Sequence, residues 1–399
     1  MRMSMENKRK SFILFGAGYY GEEALWYYGT ANVAYFCDNK KSGKIVKGIS
    51  VIPFQKLCEV WQDYEVVVTA LENPARSEIT KQLEENEISY SFYTAQQFKI
   101  QKDNFAGEYA WMNCSRKSEK LLLVLAGYKS YLWNSVFGRL RKFVPRDFDI
   151  CILTAGYKNT ELAERCEKEG WSYLYSKENK PALVMNCAVK EHPNAKWIFK
   201  MDEDIFVTDG VFETLKKTYQ QVEESGRYTV GFVAPLVPVN GYGHVRLLEL
   251  FDAVDLWEKR FGALKYSDCF YHHRTIWKEP EAACFMWGED NPKMGSLDQM
   301  QTILQKKALQ YSVCPIRYSI GFILFRRENW IKMETFPVLE YRNMGADEEW
   351  LCQFCMMQAR AMVIAENAVV GHLSYGAQNQ VMEQFYYRHR EKFSLPRLS

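Results

Sequence analysis

Lys200-Met201-Asp202-Glu203-Asp204-Ile205-Phe206-Val207 follows an apolar segment, Ala195-Lys196-Trp197-Ile198-Phe199, that reads as a buried strand. Asp202 and Asp204 stand two residues apart. Side chains of an extended backbone alternate between faces, so both carboxylates leave the strand end on the same side. Clustered carboxylates at the end of a parallel strand form a site for a hard cation, and Mg2+ or Mn2+ there can neutralise a diphosphate. A solvated acidic turn is the plainer alternative. The residues that follow weigh against it.

Downstream lies Gly345-Ala346-Asp347-Glu348-Glu349-Trp350-Leu351-Cys352, then a helical stretch to Gln358. A short apolar strand, Ala361-Met362-Val363-Ile364-Ala365, leads on to Val369-Val370-Gly371-His372-Leu373-Ser374-Tyr375. Asp347 and Glu348 fall in the first turn of a helix, where the dipole favours an ionised carboxylate able to accept a proton. His372, leaving a strand on the same side of the sheet, is placed to complete the metal site. Taken singly, an acidic first turn is ordinary helix-start chemistry, and a lone histidine at a strand end is ordinary packing.

In order and context, residues 118–380 resemble the GT-A glycosyltransferases, especially the large inverting family 2 type. The resemblance rests on the Asp-x-Asp after a fourth strand, an apolar strand with an Arg-rich turn (Ile320 to Trp330), the acidic pair before a helix, and the histidine after the next strand. It implies that Asp202 and Asp204 bind metal and sugar-nucleotide, with His372 as a further metal ligand. It implies Mn2+ or Mg2+ as cofactor and a UDP- or GDP-sugar as donor. It makes the second member of the acidic pair, Glu348, the base. The family more often has Asp there, so Asp347 stays a rival. By position in such enzymes, Ala126, Gly127, Lys180 and Asn186 border the nucleotide. An ordinary helix N-terminus explains Lys180 and Asn186 equally well.

The first hundred residues form a separate α/β series. Ser11-Phe12-Ile13-Leu14-Phe15 is a strand that runs into Gly16-Ala17-Gly18-Tyr19-Tyr20-Gly21 and then a helix. A second strand, Val33 to Cys37, ends at Asp38, and a third spans Glu65 to Ala70. Strands alternating with helices imply a parallel sheet. A Gly-x-Gly-x-x-Gly between strand and helix permits a tight turn and close approach of a phosphate, with Gly16, Gly18, Gly21 and Asp38 as the residues of a nucleotide site. The unit resembles the Rossmann-type half of bacterial sugar-modifying enzymes such as the PglD-like acetyltransferases, with about four strands. A nucleotide site and a docking role are both open. The expected organisation is a Rossmann-like domain over 1–100, a linker over 101–118, and a GT-A domain over 119–399 with an acceptor-recognising, loop-rich insertion at about 235–314.

The chain has 399 residues, 47% of them hydrophobic and 15% aromatic, with net charge +2. With that near-neutral balance nothing marks the whole chain as a nucleic-acid binder, and no nucleic-acid partner is expected. Its 11 cysteines lack framework spacing, and Cys352-Gln353-Phe354-Cys355 has no second pair to complete a zinc site, which suits a reducing compartment. No run is long and apolar enough for a membrane span, so a cytoplasmic protein is expected. Within the insertion, Tyr271-His272-His273-Arg274 reads as acceptor surface. The aromatic and basic mixture at 385–393 fits a solvated tail or weak contact with an anionic membrane surface.

These readings converge on a metal-dependent inverting glycosyltransferase. It would move one sugar at a time to a saccharide or lipid-linked saccharide in bacterial surface polysaccharide synthesis. Two alternatives remain. One is an NAD(P)-dependent nucleotide-sugar oxidoreductase or epimerase, for which Tyr173 and Lys177 have the right spacing but sit in a strand-like segment. The other is a non-catalytic scaffold.

Overall fold

The computed structural model describes residues 11–30, 32–70, 73–93, 104–268, 273–339 and 345–395. His272 of the expected acceptor surface, and the start of the expected linker, lie outside them. The chain forms two compact units, residues 1–101 and 102–399.

In the first unit, strands β1 (Ser11–Phe15), β2 (Val33–Cys37), β3 (Ile45–Val46), β4 (Ile49–Ile52), β5 (Tyr64–Val68) and β6 (Tyr90–Phe92) build a sheet of order β3-β4-β2-β1-β5-β6. All neighbours are parallel except the β3–β4 hairpin. The central strands are chiefly apolar because both faces are covered. Leu14 and Val67 pack on one face with Ala24 and Leu25 of the helix Tyr19–Tyr28. Ile13, Phe15, Val66 and Val68 pack on the other with Leu57 and Leu83 of the helices Phe54–Val60 and Ala75–Glu85. Six strands form where about four were expected, since β3, β4 and β6 are each four residues or shorter and carry little pattern.

The second unit contains β7 (Tyr109–Met112), β8 (Lys120–Leu125), β9 (Phe148–Ala155), β10 (Ser172–Ser176), β11 (Trp197–Asp202), β12 (Ile205–Phe206), β13 (Thr229–Leu236), β14 (Tyr311–Val313), β15 (Phe322–Arg326), β16 (Arg360–Val369) and β17 (Gly371–His372). Nine of these, among the described residues, form one mixed sheet of order β14-β16-β13-β15-β11-β8-β9-β10-β7. β8 to β11 are parallel neighbours, and β15 inserts antiparallel between β11 and β13. β12 and β17 pair as a separate ribbon. The segment read as linker is not one throughout, because β7 closes the sheet edge antiparallel to β10.

Two further expectations change. Residues 235–314 are not chiefly loop. Among the described residues, helices Gly243–Leu250, Val254–Phe261, Arg274–Lys278, Pro280–Met286 and Leu297–Gln305 form there, around buried Trp257, Phe285 and Trp287. At five to nine residues each, they are too short to print a helical period. Nor is the C-terminal segment a solvated tail. Phe393 is fully buried against Phe206 and Trp287. The buried Arg139 guanidinium donates to the carbonyls of Phe393 and Ser394 at 3.1 Å and forks onto Asp298 at 2.9 and 2.7 Å.

Candidate active site

The site forms where β11 ends. Asp202 is its last residue, and its backbone N–H donates to the Gly321 carbonyl at 2.9 Å. Its partly exposed carboxylate accepts from Lys200 Nζ at 2.7 Å. Lys200 lies two residues back on the same strand face and is buried, with a second acceptor in the Ile320 carbonyl at 2.9 Å. Desolvation by the site walls pushes the Asp202 carboxyl up. Lys200 opposes that, and the charges of Asp204 and Asp347 add to it. Asp347 and Glu348 also act electrostatically on Lys200, which ties the start of the helix Ala346–Met357 to the end of β11.

Asp204 and His372 are brought together by the β12–β17 ribbon, in which Ile205 pairs with His372 and the Leu373 N–H donates to the Asp204 carbonyl at 3.2 Å. Close packing fixes the ribbon: a Cβ on Gly371 would fall 2.3 Å from the Trp287 ring. His372 Nε2 lies 3.5 Å from Asp204 Oδ2, and its Nδ1 is 2.8 Å from the Val239 carbonyl. That carbonyl only accepts, so Nδ1 carries a proton there and Nε2 is left facing the Asp204 carboxylate. Such an arrangement calls for a proton or a cation between them, and a histidine anchored this way through its other nitrogen is the usual posture of a metal ligand. Asp204 also accepts from Lys129 Nζ at 2.6 Å. Burial would raise the Asp204 carboxyl, but Lys129 and His372 outweigh it and hold the group well below the ordinary carboxylate range. Among the described residues no three His, Cys, Asp or Glu side chains form a metal-binding group.

The residue between the two aspartates does something the sequence reading missed. Glu203 is buried, and its carboxylate accepts from three consecutive backbone N–H groups, those of Gly127, Tyr128 and Lys129, at 3.0, 2.7 and 2.9 Å. The Trp133 indole donates at 2.7 Å. Burial pushes the Glu203 carboxyl up, and the four donors pull against it. The loop after β8, where Ala126 and Gly127 were expected to border a nucleotide, is thus pinned to the end of β11. The only sequence signal was a third acidic residue inside an Asp-x-Asp.

In the acidic pair the two members differ. Glu348 accepts from Arg317 Nε at 2.6 Å, and both side chains are about 15% exposed. Burial opposes the Arg317 charge, but Glu348 and Glu349 outweigh it and hold the guanidinium above its ordinary value. Asp347 instead lines a small pocket with Lys180, Ala182, Val338, Leu339 and Ala346. Lys180 donates to the Leu339 carbonyl there.

Asn186 departs from expectation. It is fully buried; its amide donates to the carbonyls of Asn104 and Phe336 at 3.0 and 2.8 Å and accepts from Trp330 and the Phe336 N–H at 3.1 Å. Its four bonding positions are filled by its own chain, so it is a core residue. In the first unit, Asp38 takes the Ala17 N–H at 3.0 Å and the Lys40 and Lys41 N–H groups at 2.9 and 3.1 Å, which ties the glycine loop to the end of β2. Gly16 has φ +114°, and a Cβ on Gly21 would fall 2.0 Å from the Gly16 carbonyl oxygen. Gly18 precedes the helix with open space around it. Tyr173 lies on β10 with its hydroxyl 2.7 Å from Thr154 Oγ1, and Lys177 pairs with Glu108, so the two do not form a helical Tyr-x-x-x-Lys.

No family model matches the chain, and no curated protein does. Among solved structures it is similar to GalNAc-T7 with UDP, GalNAc and Mn2+, at 12% identity over 83% of this chain and 61% of that one, with a TM-score of 0.38. It is also similar to the mannosyltransferase PcManGT from Pyrobaculum calidifontis in complex with GDP-Man and Mn2+, at 14% identity over 71% of this chain and 64% of that one, with a TM-score of 0.36. Each match spans less than two thirds of the solved chain. No helix among the described residues is long and apolar enough to cross a membrane.

Proposed function

We propose that the second unit is a GT-A-type glycosyltransferase that uses a nucleotide-sugar and a divalent ion, with inversion, on a saccharide acceptor. The observation that carries the reading is the meeting of Asp204 and His372 across 3.5 Å at the end of β11, with Asp347 acting on Asp202 beside them. Asp204 and His372 would hold Mn2+ or Mg2+, which when bound supplies positive charge against a departing diphosphate. Lys200 holds the Asp202 carboxylate in place at 2.7 Å and opposes the upward push of burial on it. Glu203 fixes the loop 127–129 beside it. Asp347 is the better candidate for the base that takes the acceptor hydroxyl proton, because Glu348 is committed to Arg317 and an arginine-bound carboxylate is a poor proton acceptor. In the first unit, the Asp38 carboxylate accepts from Ala17 of the glycine turn and from Lys40 and Lys41, which supports a structural or docking role for that turn.

The test is a screen of UDP- and GDP-sugars for a Mn2+-dependent rise in melting temperature together with slow donor hydrolysis. A rise and hydrolysis with one donor supports the reading. No response to any sugar-nucleotide ends it.

A further inference from the structure

Lys129 is positioned twice. Its backbone N–H is held by Glu203 at 2.9 Å, and its ammonium is held by Asp204 at 2.6 Å. Three successive N–H groups converging on one point form a concavity that binds anions when unfilled. Here Glu203 fills it, so the loop cannot hold an incoming phosphate through its backbone. What the loop offers instead is the Lys129 side chain.

That side chain sits on the atom a divalent ion would need. Asp204 Oδ2 is at once the acceptor for Lys129 and the oxygen facing His372 Nε2. Two cations at one oxygen repel strongly in a buried site. Lysine is suited to yielding, since its ammonium is a compact charge on a flexible stem, and the Lys129 side chain keeps 18% of its surface exposed. Lys200 is the contrast within the same site. It too pairs with an aspartate, but it is 3% exposed and tied to a carbonyl as well, so it has no route outward.

We propose that Lys129 is an exchangeable counter-ion: it neutralises Asp204 in the ligand-free protein, yields that oxygen to a divalent ion, and turns its ammonium onto the diphosphate that arrives with the ion. The proposal rests on the transferase reading above and adds a diphosphate-binding residue to it.

The experiment is calorimetry on the full chain with MnCl2 alone, and with UDP or GDP in saturating Mn2+. Lys129→Met should bind Mn2+ alone about tenfold more tightly, because the competitor is gone, and bind the nucleoside diphosphate about tenfold more weakly. Lys129→Arg should stay near the wild type in both. The opposite signs are the diagnostic. If both affinities fall together, Lys129 only supports the site and the proposal is overturned; if neither moves, it is also overturned. A wild-type chain that binds neither UDP nor GDP ends the transferase reading and this proposal with it. Nucleotide binding by the wild type that is unchanged in Lys129→Met ends this proposal alone. A second measurement needs no variant. Acetylation of Lys129 in the wild-type chain, read by peptide mass, should rise when Mn2+ is added and fall again when UDP or GDP follows. Labelling indifferent to both overturns the exchange.

Discussion

Replacing the two members of the acidic pair separates proton transfer from scaffolding. Asp347→Asn removes a carboxylate that lines the small pocket beside Lys180. If Asp347 is the base, kcat falls by about 10²- to 10⁴-fold, the usual reach of general-base catalysis, while donor affinity and stability change little. Glu348→Gln keeps the shape but removes the negative charge from a pair with Arg317 at 2.6 Å in which both side chains are about 15% exposed. A charge-assisted bond becomes a neutral one beside a largely buried guanidinium, a loss of about 1–3 kcal/mol. Urea unfolding should read that loss, with turnover of the folded fraction lowered far less than in Asp347→Asn. The assays are transfer or donor hydrolysis at saturating donor, and urea melts of both variants. The reasoning is refuted if Glu348→Gln is fully stable and about 100-fold slower while Asp347→Asn turns over normally. In that case the base is Glu348 and Arg317 serves to orient it.

Asp204→Ala should abolish transfer and Mn2+ binding together, and full activity in chelator would end the metal assignment. Arg139→Met leaves Asp298 and the carbonyls of Phe393 and Ser394 without their buried donor, so a loss of about 3–5 kcal/mol is expected in urea melts of the full chain; a loss under about 1 kcal/mol would show that the C-terminal clamp is incidental. Gly21→Ala drives a methyl to 2.0 Å from a backbone oxygen and should destabilise the first unit by about 1–3 kcal/mol, read by thermal melts. His192 and His273 are held below the ordinary imidazole value of 6.5, chiefly by burial. The unfolded chain therefore takes up more protons below that value, and stability falls as pH drops from 6.5, by at most about 1.4 kcal/mol per pH unit for each ring. A His192→Asn, His273→Asn double variant should flatten the slope between pH 7 and pH 5, and an unchanged slope would count against the assignment.

Much of the sheet was legible because its parallel strands are covered on both faces and print continuous apolar runs, as in Leu121 to Leu125 and Ile150 to Leu153. Asp202, Asp204 and His372 could be read as candidates because the two aspartates stand two apart at a strand end and the acidic pair and the histidine follow in order. What the sequence concealed is pairing at a distance. Nothing near Glu203 announces that its carboxylate will meet N–H groups more than 70 residues earlier. Nothing near Glu348 points to Arg317, which lies in the loop between β14 and β15, 31 positions back. Asn186 misled for the same reason, since a polar residue on a helix facing the site looks the same whether it serves a ligand or four atoms of its own chain. The short helices after Pro235 escaped because a helix of two turns carries no period to count.

The place of β15 has a consequence for synthesis. β11 lies between β8, made earlier, and β15, whose Phe322 pairs with Met201 only about 120 residues later. At about 5–20 residues per second, a growing chain leaves one side of β11 without its partner for roughly 6–25 s. That side belongs to the largely apolar segment Trp197 to Met201, interrupted only by Lys200, an open edge of the kind that other chains can pair with. The strand bearing the acidic run is therefore among the places most exposed to misassembly while the protein is still on the ribosome. Slower translation between residues 202 and 322 would lengthen that interval, and faster translation would shorten it.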